Sequence, residues 1–202
     1  MKKLLNILRL LHSENLKHKQ DEETISRIRM QDSWGIERPF LNIDGPERIY
    51  MGPRSSIGRF AWISCYERYH LQEFDPQIII GSDVRIGNYA CVTAINQIII
   101  GDGCLFSDFV YISDHGHGID PNLTIPLAEQ NLVSKGKVQI GARCFIGMRV
   151  SVLSGVSLGD NCVVGAHSVV TKSFPSRSMI AGVPARIIKI FSPNEKIWTC
   201  QS

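Results

Sequence analysis

Along residues 140–170 an aliphatic side chain returns at every sixth position, as Ile140, Ile146, Val152, Leu158, Val164 and Val170. The same register appears earlier in three shorter runs: Met51, Ile57, Ile63, then Ile80, Ile86, Val92, then Ile100, Phe106, Ile112. Four residues after most of these anchors the side chain is small or β-branched, from Ser55 and Ala61 through Val84, Ala90, Cys104 and Val110 to Cys144, Val150, Val156, Cys162 and Ser168, with breaks at Glu67, Asn96, Gly116 and Phe174 where a run ends or a loop begins. Glycine follows many of the anchors, as at Gly52, Gly58, Gly81, Gly87, Gly101, Gly141, Gly147, Gly159 and Gly165. A helix face requires apolar residues every three or four positions, so this rhythm does not describe one. Two inward positions in six fit short strands joined by tight turns. Three such sides make one turn of a prism, and successive turns pair edge to edge as parallel strands. The glycine is expected to supply backbone angles that other residues avoid.

The rhythm covers residues 51–173 and is interrupted twice, by an insertion at 65–77 (CYERYHLQEFDPQ) and by one at 114–137. Residues 1–45 lack it and read as a partly helical N-terminal segment, with Leu4, Leu5, Leu8 and Leu11 on one helix face. That face is read as packing on its own chain or a neighbouring copy, with contact to a membrane surface the minor reading. Residues 46–202 form the repeat domain. Its cap, 174–202, leaves the prism through Pro175 and Pro184 as an extended segment and then a helix or strand across the last coil.

Composition narrows the function classes. The 202 residues are 44% hydrophobic and 20% charged, with a formal charge of +3 and no basic block, so nothing points to nucleic acid. No apolar run is long enough to span a membrane, and the N-terminus lacks a small-residue cleavage site, which suggests a cytoplasmic protein. The six cysteines contain no C-x-x-C pair. Cys104, Cys144 and Cys162 fall on the second inward position, where a thiol serves as a small apolar filler.

With these residues in view, the chain resembles the hexapeptide-repeat family, whose fold is a left-handed parallel β-helix. The handedness comes with the resemblance and departs from the usual crossover rule. The C-terminal run VVGAHSVVTKSFPSRSMIAGVPARIIKI is similar to the last coils of sugar O-acetyltransferases related to galactoside and maltose acetyltransferase. The resemblance implies a homotrimer that moves acetyl from acetyl-coenzyme A, as co-substrate, to a sugar hydroxyl, with no metal. It further implies that Ala166 and Thr171 lie along the pantetheine arm, while Lys172, Arg186 and Lys189 meet the nucleotide phosphates. Cations suit that role, and arginine can hold phosphate oxygens bidentately.

The stretch YISDHGHGID, residues 111–120, opens the second insertion. The family keeps a general-base histidine after a coil, and an ungapped count from Gly101 places it on His117, with His115 next. Imidazole suits proton removal from an attacking alcohol near neutral pH. The resemblance assigns the oxyanion donor to the backbone N–H of Met148. Asp114 is read as orienting one imidazole or facing the acceptor. An S-D-H-x-H stretch is familiar in the O-acetyltransferases of bacterial capsule and lipopolysaccharide sugars, whereas the acceptor-binding positions, near Asn88 and Asn96, stay unassigned. Phe145 stands where the family usually has tryptophan. Three other readings remain open: an N-acetyltransferase on an amino sugar, a zinc protein resembling γ-carbonic anhydrase through the H-x-H spacing, and a non-catalytic scaffold.

Overall fold

The computed structural model describes residues 2–200, with side chains not described at 2–12 and 15. A helix spans Lys2–Ser26, and the expected leucine face at Leu4, Leu5, Leu8 and Leu11 lies outside the described side chains. Beyond it the chain winds into a three-sided, left-handed parallel β-helix of six coils. The first face stacks Arg29–Met30, Ile49–Met51, Gln77–Ile80, Gln97–Ile100, Val138–Ile140 and Ser157–Leu158. The second stacks Gly35–Ile36, Ser56–Ile57, Arg85–Ile86, Leu105–Phe106, Phe145–Ile146 and Val163–Val164. The third stacks Asn42–Asp44, Trp62–Cys65, Cys91–Ala94, Tyr111–Ser113, Ser151–Val152 and Val169–Val170. Neighbouring coils pair in register, anchor on anchor, as Ile86 on Phe106 and Ile112 on Val152.

The anchors form the core. Ile57, Ile63, Ile112, Ile146, Val152, Val164 and Val170 are all 0% exposed, and the second position is equally closed at Ala61, Val84, Val150, Cys162 and Ser168. Burying one such aliphatic side chain contributes about 1.5–3 kcal/mol. Cys104, Cys144 and Cys162 fill the second position as expected, and their thiols donate to the carbonyls of Gly141, Gly159 and Pro175 one coil on.

Two features differ from the sequence reading. The prism begins before the repeat does, because Met30, Ile36 and Ile43 pair with the anchors Met51, Ile57 and Ile63. Their spacing is six and then seven residues, and that one extra residue hides the coil from a strict six-step count. The glycines after the anchors also serve another purpose than expected. None of those nine has positive φ; the left-handed residues come two positions later, as at Arg54, Phe60, Asp83, Tyr89 and Arg143. At the glycines the next coil passes too close for a Cβ, which at Gly101 would sit 2.7 Å from Ala142 N and 2.8 Å from Gly141 C.

The first insertion is a hairpin, Arg68–Tyr69 with Gln72–Glu73. The second contains the antiparallel pair Gly116–His117 and Leu132–Val133. After the last coil, Ser178–Gly182 adds to the second face, Ala185–Ser192 returns antiparallel to it, and Ile197–Cys200 closes the sheet. The cap is therefore a strand rather than a helix.

Candidate active site

Both insertions leave the prism at one corner, between the third and first faces, two coils apart. Asp114 is the second residue past the anchor Ile112, the position that at the other corners supplies a side chain to the backbone of the coil before it. Asp102 and Asp108, for example, accept from Ser82 N and Asn88 N, each at 2.7 Å. Asp114 does the same with both oxygens: Oδ1 accepts from Ile95 N and Oδ2 from Asn96 N, each at 2.9 Å. Its side chain is fully buried.

One further donor reaches this carboxylate. His115 Nδ1 lies 3.0 Å from Asp114 Oδ1, and the imidazole is 11% exposed. An ionised carboxylate has no proton to give, so the hydrogen of this bond is on Nδ1 and the Nε2 lone pair is left free. Tyr66 packs edge-on against the ring at 5.9 Å between centroids. His117 is held differently. It is exposed, and its Nδ1 lies 3.4 Å from Tyr69 Oη with no carboxylate partner among the described residues.

The hairpin and the loop knit together over this corner. Tyr69 Oη donates to Ala128 O, and the amide of Gln72 exchanges two bonds with Leu132, at 3.1 and 2.6 Å. His70 Nε2 is 3.0 Å from Ala128 O, and His167 sits at another corner, so neither joins the H-x-H pair.

His115 stands between two cavities. One, of about 310 Å³, is walled by Trp62, Tyr66, Tyr69, Tyr111 and both histidines. The other, of about 510 Å³, runs from Tyr111 and His115 past Lys135 and Ser154 to Thr171. Only Tyr111 and His115 line both. Thr93, in the wall of the first, is the residue that the sequence reading missed when it considered Asn88 and Asn96. Its periodic position just past an anchor marks it as outward-facing, but nothing in one sequence shows that a cavity lies there.

The structure does not bring Met148 to His115 within one chain. Met148 lies at the corner between the second and third faces, 42% exposed. There Arg59 N donates to Asn88 Oδ1 and Asn88 N to Asp108 Oδ1. The ladder of acceptors then ends, because the residues stacked next are Met148 and Ala166. The Met148 N–H makes no hydrogen bond among the described residues. Ala166 is exposed one coil beyond, and Thr171 and Lys172 lie past the last anchor of the third face, with Lys172 Nζ 5.6 Å from the Phe174 ring centroid. Arg186 is exposed at the start of the return strand, and Lys189 is half-buried further along it.

Residues 137–172 match the family described as the hexapeptide repeat of succinyl-transferase. A Mycobacterium tuberculosis protein named as an acetyltransferase, Rv3034c, is 34% identical over 133 residues, which is 66% of this chain and 43% of that one. The chain thus spans under half the length of that relative. WbbJ of Escherichia coli K12, named for lipopolysaccharide biosynthesis O-acetyl transfer, is 36% identical over 135 residues, 63% of this chain and 68% of WbbJ. Among solved structures, AntD, an N-acyltransferase from Bacillus cereus in complex with dTDP and 3-hydroxybutyryl-CoA, superposes with a TM-score of 0.70 at 23% identity, covering 87% of this chain and 90% of AntD.

Proposed function

Because the chain belongs to the hexapeptide-repeat acetyltransferase family, we propose that it moves the acetyl group of acetyl-coenzyme A onto a sugar hydroxyl during synthesis of a bacterial surface polysaccharide. One observation carries this reading: a histidine oriented by a buried carboxylate separates an aromatic cavity from a groove that runs past Lys135 and Ser154 to Thr171. The reaction needs a base between acceptor and thioester, and His115 stands at that point. His117 faces only the aromatic cavity, so the geometry favours His115 as base and gives His117 a place in the acceptor wall.

As the sugar hydroxyl attacks the thioester carbonyl, its proton passes to His115 Nε2. Asp114 then faces an imidazolium, which it stabilises by a charge-assisted hydrogen bond. The tetrahedral oxyanion collapses, the carbon–sulfur bond breaks, and the departing thiolate takes the proton back from His115. An N–H without a partner is what the oxyanion requires, and Met148 has one. Since Met148 and His115 occupy different corners, the donor comes from a neighbouring copy in a homotrimer.

The surface supports such a contact. At the Met148 corner the left-handed positions carry Phe60, Tyr89 and Phe109, stacked 4.8 and 4.7 Å apart, the first half-buried and the other two exposed to solvent, where the corner between the first and second faces carries Arg54, Asp83 and Arg143. Stacked exposed aromatics mark a surface that is covered in the assembly. Acetyl-coenzyme A lies between neighbouring copies, with Thr171 of one copy and Ala166 of the next against pantetheine and Lys172, Arg186 and Lys189 at the phosphates. The cytoplasm supplies that co-substrate.

The test is incubation with radiolabelled acetyl-coenzyme A and a panel of sugars. Release of coenzyme A matched by alkali-labile acetyl ester on a sugar is expected. Hydrolysis of acetyl-coenzyme A at the same rate with and without every sugar would overturn the reading, and a monomer in light scattering would remove the interfacial site.

A further inference from the structure

The aromatic cavity is more specific than a generic sugar site. Trp62, Cys91 and Tyr111 are in-register partners on adjacent strands, each one residue before an anchor, so all three project outward from the third face in one column. Strands lie about 4.8 Å apart, which puts the outer two roughly 10 Å from each other across the small Cys91. Two aromatic walls in van der Waals contact with a ring between them need about 7–8 Å. The column is therefore a slot with two aromatic sides and a cysteine floor.

The tyrosine hydroxyls, Thr93, the Trp62 indole and the two imidazoles supply the polar groups of the slot. Trp62 Nε1 donates to Ser64 Oγ at 2.8 Å, which fixes the indole plane. Thr93 lines the cavity at 7% exposure, and its hydroxyl makes no hydrogen bond among the described residues. No Asp, Glu, Lys or Arg is among the lining residues. Asp114 lies behind His115, fully buried and held by Ile95 N, Asn96 N and His115 Nδ1, and is not among the lining residues, so it does not face an ammonium group in the cavity. A cavity of about 310 Å³ is at the small end of the range for small-molecule sites.

We infer that this slot seats a single uncharged pyranose ring between Trp62 and Tyr111, apolar C–H faces on the aromatic walls and one hydroxyl on Thr93, and so selects neutral hydroxyl acceptors over acidic and amino sugars. The inference rests on the acceptor role given to this cavity above and names the substrate class within it. A uronic acid would place a carboxylate, and an amino sugar an ammonium, in a cavity with no Lys, Arg, Asp or Glu in its wall to receive it.

Saturation-transfer NMR without acetyl-coenzyme A tests binding, and acetyl transfer tests use. Methyl hexopyranosides are expected to show saturation of ring C–H protons on wild type. Methyl glucuronide and methyl glucosaminide should show little. Trp62→Ala should abolish the signal and raise the acceptor KM at least tenfold with the acetyl-coenzyme A KM unchanged, while Trp62→Phe keeps most of the binding. Thr93→Val should raise the acceptor KM about fivefold to tenfold, the loss of one hydrogen bond. Glucuronide or glucosaminide bound and acetylated as well as the neutral ring would overturn the proposal. So would a neutral-ring signal that survives Trp62→Ala in a folded protein. Ring binding without any transfer would leave the slot standing and remove the enzymatic reading; transfer indifferent to Trp62 and Thr93 would do the reverse.

Discussion

Replacing Asp114 by Asn changes one atom at the centre of the site. In the native protein the side chain accepts Ile95 N at 2.9 Å and His115 Nδ1 at 3.0 Å on one oxygen, and Asn96 N at 2.9 Å on the other. A carboxamide has one acceptor. Oriented to keep Ile95 and His115, it turns its NH₂ towards the Asn96 N–H, and that buried donor goes unmade at a cost of about 1–3 kcal/mol. Neutralising a buried charge offsets part of the loss, so the variant folds with a Tm lowered by only several degrees. The chemistry suffers more. A hydrogen bond to a charged group contributes about 1.5–3 kcal/mol, and most of that stabilisation of the imidazolium goes with the carboxylate. At about 1.36 kcal/mol per tenfold in rate, kcat falls roughly tenfold to a hundredfold. The assay is steady-state coenzyme A release at saturating acceptor, with the Tm measured on the same preparation. The acetyl-coenzyme A KM stays within about twofold, because Asp114 is not itself among the residues that line the groove. A folded Asp114→Asn variant with kcat within twofold of wild type would refute the reasoning, reducing Asp114 to a structural clamp.

Other consequences are more local. Gly101→Ala forces a methyl group against the backbone of Gly141 and Ala142, and a chemical melt should show about 1–3 kcal/mol of lost stability, as for other overpacked positions; an unchanged midpoint would contradict the close-approach account of these glycines. In native protein Cys200 is exposed and should react promptly with a thiol reagent, whereas Cys65, where loss of water pushes the thiol up to about 12, stays protonated at any ordinary labelling pH and reacts only after unfolding. Equal labelling of the two in the folded state would show that the prism opens. Arg186→Ala should raise the acetyl-coenzyme A KM about tenfold with kcat little changed, and an unaltered KM would remove Arg186 from the phosphates.

The prism was legible in the sequence because it is built from local repetition. Each anchor and each small partner position carries its own burial requirement, so every coil from Met51 to Val170 repeats the same message. The first coil was not legible, since one extra residue between Ile36 and Ile43 shifts the phase while the strands still pair. The glycine requirement was visible and its reason was not: a backbone crossing from the next coil leaves no trace in a single sequence. At the site, the D-H-G-H stretch marked the place of the chemistry, but ranking two histidines one residue apart needed their partners. Counting along the chain led to His117, whereas Asp114 meets His115. The aromatic cavity is assembled from Trp62, Tyr69 and Tyr111, residues that only the coil register and the first insertion bring together.

The central claim is that the corner carboxylate selects one histidine as the base. Acetyl transfer by His115→Ala and His117→Ala, measured side by side with coenzyme A binding as the folding control, tests it most directly. The account predicts that His115→Ala loses about a hundredfold to ten-thousandfold in kcat while His117→Ala stays within about tenfold and changes mainly the acceptor KM. The opposite order, with His117→Ala inactive and His115→Ala near wild type, would contradict it.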